Sequence, residues 1–158
     1  YNPRYTRYRN LAMIGLMQRV SSATVHINGE EVASIDAGLL VLVGFRAGDR
    51  VERIGRFAER LLNYRVFPDD RDRMNRSLRQ VDGGLLLVPQ FTLAADTNSG
   101  NRPSFTPTAS PEDGQALFNA LTTHLQPVWP NTRCGRFGAD MQVSLVNDGP
   151  VTFWLEVD

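Results

Sequence analysis

A chain of 158 residues, 42% of them hydrophobic, with a formal net charge of zero, has the size of one domain able to bury its own core. Its apolar runs are short and broken by charge, which excludes a transmembrane helix or secretory leader, so a soluble, cytoplasmic protein with no membrane partner is expected. Neutrality argues against a protein that coats nucleic acid, and no DNA partner is expected.

A lone Cys134 allows no internal disulfide, and without a second Cys or a close His it does not indicate zinc; it reads as a small core residue. All 17 basic residues are arginine. Residues 46–79 hold ten Arg against six acids, and residues 80–158 hold three against eight. A solvated helix face is the first reading of that excess. If Arg50, Arg53, Arg56 and Arg60 touch phosphate, RNA affinity should instead fall steeply with salt.

Along the chain, "YNPRYTRYRNLA" lacks apolar periodicity and reads as a disordered arm, a tag remnant or an upstream start, leaving one domain over 13–158. Strands are expected at 13–20 and 23–28, with "NGEE" at 28–31 as a two-residue hairpin turn into "EVASI". "GLLVLVGF" at 38–45 has the continuous apolar character of a strand covered on both faces. Val51, Ile54, Phe57, Ala58, Leu61 and Leu62 recur at helical spacing, predicting an amphipathic helix over 49–63.

"YRVF" at 64–67 predicts a short strand before the charged turn "PDDRDR", and "DGG" at 82–84 a turn before the strand "LLLVPQFTL". Ser110-Pro111-Glu112-Asp113 combines an N-cap, a first-turn proline and acids at a positive helix end, so a helix starts there and carries Leu117, Ala120, Leu121 and Leu125 on one face. Strands near 131–136, 141–146 and 151–157 close the chain. The fold class is therefore a single α/β domain with two β-sheets, mixed or antiparallel, and two main helices packed on one side.

Familiar chemistries are poorly supported. His26 points away from its apolar neighbours Val25 and Ile27, and His124 ends a helix, so no Ser-His-Asp or Cys-His arrangement is visible. There is no phosphate loop, dinucleotide pattern or cluster of metal ligands, and no metal or cofactor is expected. An enzyme with this sequence would rely on backbone groups, hydroxyls or chemistry brought by the substrate.

Two segments stand out. Pro89 lies inside a strand pattern, where a residue without an N–H ends or breaks the ladder. Beyond it the amides of Gln90, Phe91 and Thr92 would be free to face a ligand oxygen. The second segment, "NDGPVT" at 147–152, reads from its residues alone as a hairpin turn.

"MQRVSSATVHINGE", "PQFTLAADT", "NRPSF" and "GRFGADMQVSLVNDGPVTF", in this order, resemble the D-aminoacyl-tRNA deacylase family over about 13–157. Two family motifs carry the likeness, Ser-Gln-Phe-Thr-Leu and Asn-x-Gly-Pro-x-Thr, with Pro89 standing where the family usually has Ser. The resemblance implies a homodimer with a deacylase-type three-layer fold and active sites at the interface. It also implies hydrolysis of D-aminoacyl-tRNA, and of mischarged glycyl-tRNA, to release tRNA.

On the same resemblance, Gly149 and Pro150, joined by a cis bond, would enter the partner's active site and occupy the space an L-side chain needs. Arg19 would brace them. Gln90, Phe91, Thr92 and Leu93 would bind the terminal adenosine and the ester, with the Phe91 and Thr92 amides on the carbonyl oxygen and Gln90 on the ribose. Asn147 and Thr152 complete the second motif.

Pro89 removes the serine hydroxyl as a nucleophile, and Thr92 has no visible base, so attack by water with help from the substrate's 2′-OH is expected. Pro-Gln also resembles a related branch acting on L-alanyl-tRNA. A non-catalytic tRNA-binding module of the same fold is the remaining alternative.

Overall fold

A computed structural model of the chain describes residues 12–158, so the reading of the first twelve as a disordered arm lies outside the described residues save Ala12. The two strands expected at 13–20 and 23–28 are one 15-residue strand, β1 (Met13–Ile27). Asn28 and Gly29, both at positive φ, make the expected two-residue turn into β2 (Glu30–Ile35), with Ile27 paired to Glu30. The run "GLLVLVG" forms β3 (Gly38–Gly44).

A 3-10 turn at Val51–Arg53 leads into α1 (Ile54–Asn63), whose Ile54, Phe57, Ala58, Leu61 and Leu62 are buried. Val51, placed by spacing on the same stripe, is 56% exposed because it stands in the 3-10 turn before the helix begins. β4 (Arg65–Pro68) and β5 (Met74–Ser77) pair antiparallel in a small second sheet. β5 and the one-turn helix α2 (Leu78–Val81), opened by reciprocal Ser77 and Gln80 capping, were not expected from the sequence.

β6 (Gly84–Pro89) ends at the proline, as anticipated. Ser110 Oγ accepts from the Asp113 amide at the start of α3 (Pro111–Val128), followed by β7 (Thr132–Cys134). β8 (Gln142–Val157) is a single strand of 16 residues, so the hairpin reading of "NDGPVT" is overturned. The segment pairs along one partner, β1, on both sides of the motif, leaving no second strand for a turn to reach.

Gln18 pairs with both Leu40 and Thr152, and Ala23 with both Ile35 and Leu145; β8 therefore lies on one edge of β1, and β3 and β2 share the other. β6 runs parallel to β3, and β7 parallel to β6. Side chains alternate across this main sheet, as a strand's period of two requires. Leu39, Val41, Leu85 and Leu87 meet Phe57 and Leu61 of α1 and Leu121 and Leu125 of α3. Leu40, Leu86 and Val88 meet Val20, Val25 and Ile35 on the opposite face. The result is the expected single α/β domain with two sheets and the two main helices on one side.

Candidate active site

Val43 at the end of β3 pairs with Pro89 at the end of β6, and the next residue's amide, Gln90 N–H, donates to Val43 O at 2.7 Å. That bond corrects the expectation of three free amides: the Gln90 amide is already used. Gln90 then turns to φ −142 and ψ 84, and Phe91–Ala94 wind into a 3-10 turn. The first amides of such a turn have no acceptor inside it. Accordingly, the Phe91 and Thr92 amides have no acceptor among the described residues, whereas Leu93 N–H returns to Gln90 O at 3.3 Å.

The turn sits close against β3. A Cβ added at Gly44 would lie 3.0 Å from both Gln90 O and Leu93 Cβ, so glycine at that position is what permits the approach. Gln90 Nε2 donates to Thr92 Oγ1. A carboxamide cannot take up the hydroxyl proton, and among the described residues no other side chain is hydrogen-bonded to Thr92 Oγ1 that could act as a base.

Beside this strand end lies a cavity of about 410 Å³, lined by Val43, Phe45, Gln90, Phe91, Phe105, Thr108 and Phe137 among others. Phe91 and Phe105 stand 5.4 Å apart between ring centroids. Phe105 and Phe137 lie in "NRPSF" and "GRFGAD", yet sequence reasoning gave them no role, because nothing local in either stretch says that it folds back onto β6. His26 pairs in β1 with Glu31 and Gln142, and His124 Cε1 lies against Gly55 on α1; neither belongs to this site.

The second group stands in the middle of β8. Gln18 pairs with Thr152 and Val20 with Asn147, so the four residues 148–151 bulge outward opposite Arg19 alone. Arg19, 13% exposed at its side chain, donates from Nε to Asp148 O at 3.0 Å and from Nη1 to Val66 O at 2.8 Å. Its fork thus ties the bulge to β4. Asn147 closes the base: Oδ1 accepts from Val151 N–H at 3.0 Å, and Nδ2 donates to Thr152 Oγ1 at 2.8 Å.

The Gly149–Pro150 peptide is cis and both residues are exposed. Gly149 has φ +137, and a Cβ there would meet Val151 Cγ2 at 2.7 Å. Only glycine fits that position. No hydrogen bond joins this bulge to the Gln90–Leu93 turn within one chain among the described residues.

The displaced acidities belong to residues outside both groups. Burial pushes Asp49 up to about 6, against the opposing bond from the Arg46 amide, and burial raises the Cys134 thiol to about 11. Amides from Arg73 and Arg71 hold Asp69 below its ordinary range. Among the described residues no three His, Cys, Asp or Glu side chains are placed to hold a metal ion, and no helix is long and apolar enough to cross a membrane.

Free backbone amides at a strand end, an aromatic pocket beside them and a braced backbone bulge define a class of small α/β proteins whose site is built mainly from the main chain. Residues 16–156 match the family described as D-Tyr-tRNA(Tyr) deacylase, and the chain belongs to that family.

It is 52% identical over 92% of its length to the whole D-aminoacyl-tRNA deacylase of Dichelobacter nodosus, and 60% identical over 91% to 99% of that of Azotobacter vinelandii. A solved structure titled c-Myc DNA Unwinding Element Binding Protein superposes with a TM-score of 0.87 at 32% identity, covering 92% of this chain and 99% of that one. Another, of a probable eukaryotic D-amino acid tRNA deacylase, shares the fold with a TM-score of 0.83 at 14% identity, covering 92% of this chain and 100% of that one.

Proposed function

We propose that the protein hydrolyses the ester of D-aminoacyl-tRNA, and of glycyl-tRNA, as a homodimer. The observation that carries this reading is the pair of unengaged amides, Phe91 and Thr92, next to an aromatic pocket and with no activated side-chain nucleophile. The terminal adenosine enters the pocket, and Gln90 reaches the ribose. The ester carbonyl accepts from the two amides, which stabilise the oxyanion as water attacks with the substrate's 2′-OH assisting. One such donor is worth about a hundredfold or more in kcat.

Chirality is read by Gly149 and Pro150 from the partner subunit. The bulge is exposed and held at its base by Arg19 and Asn147, as a wall supplied across an interface requires. A hydrophobic pocket separates ligands differing by a methylene by only about 1–3 kcal/mol, so it cannot sort side chains of all sizes by handedness. A main-chain wall where an L-side chain would point rejects them all, and admits a D-side chain or the hydrogen of glycine. A substrate of charged tRNA supports a cytoplasmic location as part of this reading.

Pro89 keeps the L-alanyl-tRNA branch as a second reading. Incubation with D-tyrosyl-, glycyl-, L-tyrosyl- and L-alanyl-tRNA separates the cases. Loss of the first two esters alone is expected. Loss of the L-alanyl ester alone would establish the second reading, and tRNA binding with all esters intact would mean a non-catalytic module.

A further inference from the structure

The arginines of residues 46–79 take no part in the site above, and α1 brings two of them to the surface in an open groove of about 360 Å³. Arg56, Glu59, Arg60, Asn63 and Tyr64 line it. Arg56 and Arg60 are four residues apart on the helix and share a face, roughly 5–6 Å apart at Cβ. The groove's one carboxylate is already engaged: Glu59 Oε2 accepts from Arg79 Nη2 at 3.1 Å and, within the groove, from Asn63 Nδ2 at 3.2 Å.

Among the described residues neither Arg56 nor Arg60 forms an ion pair, and Arg60 lies over the Tyr64 ring at 5.8 Å from its centroid. Arg53 is different, since it holds the C-terminal Asp158 through Nε to the backbone O at 2.7 Å. Two guanidinium forks with no ion pair among the described residues, one of them over an aromatic ring, suit successive phosphates of a nucleic-acid backbone.

The groove's place gives it a partner. Tyr64 meets Phe153 of β8 edge-on at 6.1 Å, and two residues on, Val66 O accepts from the Arg19 that braces Asp148. The groove therefore adjoins the Gly149–Pro150 bulge. We propose that it takes the ribose-phosphate backbone near the acceptor end of the tRNA whose ester lies at that bulge. The proposal rests on the deacylase reading, and since the bulge serves the partner's site, the groove serves it too. Each tRNA is held by one subunit's Gln90–Thr92 turn and the other's Arg56–Arg60 face.

The test compares D-tyrosyl-tRNA with D-tyrosyl-adenosine, the same ester without a stem, on the wild type and on Arg56→Gln/Arg60→Gln. On the tRNA, kcat/KM should fall roughly tenfold through KM, with a salt slope shallower by about 1.5 to 2 units. On D-tyrosyl-adenosine it should not change. No loss on the tRNA, or an equal loss on both esters, overturns the proposal.

A mixed dimer then assigns the subunit. The Arg56→Gln/Arg60→Gln chain is paired with a chain whose own pocket is filled by Thr108→Trp, or by Ala109→Trp if the first does not assemble. The working site then faces an intact groove across the interface, and wild-type KM is expected; a raised KM overturns the cross-subunit placement. If the wild type cleaves neither D-ester, the deacylase reading itself has failed and the proposal falls with it.

Discussion

Arg19 makes two demands that a single ammonium would not meet. Its Nε and Nη1 reach Asp148 O and Val66 O at once, in different directions, from a nearly buried position. Arg19→Lys keeps the charge but loses the fork. A hydrogen bond from a charged group is worth about 1.5–3 kcal/mol, so the bulge should loosen. The ratio of D- to L-tyrosyl-tRNA hydrolysis is expected to fall about tenfold or more, with the D-rate changed far less; competing single-turnover assays read both.

Asp49 gives the fold one pH dependence that can be measured near neutrality. Burial holds its folded value near 6 against an ordinary 3.8, so between those values the folded chain binds a proton that the unfolded chain has lost. The stability from protonated Asp49 is whole below 3.8 and is lost as pH rises through about 6. Asp49→Asn keeps an oxygen for the Arg46 amide and removes the buried charge. It should raise Tm by on the order of 2 °C at pH 8, and the gain should vanish by pH 3.5 in thermal melts.

At the scale of elements, the bulge in β8 depends on Asn147, whose carboxamide joins Val151 N–H to the Thr152 hydroxyl. Asn147→Ala should leave the melting temperature within a few degrees but speed hydrogen exchange at the Val151 amide by about tenfold, since one or two local bonds of ~1 kcal/mol are lost. Unchanged exchange would mean that the strand pairing alone holds the bulge.

This segment also shows what a sequence reveals of a fold. Helices α1 and α3, the Asn28–Gly29 turn and the break at Pro89 follow from local rules of period, capping and missing N–H groups. "NDGPVT" obeyed the local rule for a turn, yet β1 is long enough to pair on both sides of it, a fact held 129 residues away from Asp148 at Arg19. "MNRS" and "LRQV" were missed for the opposite reason, being too short to show any period. The break at Pro89 was legible, but residues 90–93, read as the continuation of a strand, wind into a 3-10 turn; that turn, the loss of the Gln90 amide to Val43 and the placing of Phe105 and Phe137 beside it depend on long-range packing.

For the molecule as a whole, one chain presents an amide-lined turn with its pocket and an exposed braced bulge, and no hydrogen bond among the described residues ties the two together. The proposed dimer joins them, so light scattering should report twice the chain mass at the concentrations where hydrolysis is measured; an active monomer would oppose a cross-subunit wall. The central claim is that the main chain does both the catalysis and the selection. Its most direct test is the initial rate of hydrolysis of D-tyrosyl-tRNA and L-tyrosyl-tRNA by wild type and Thr92→Ala, side by side. Rapid loss of the D-ester alone, with Thr92→Ala within a few fold of wild type, is the predicted result. Loss of both esters at similar rates, or a collapse of the D-rate in Thr92→Ala, would contradict it.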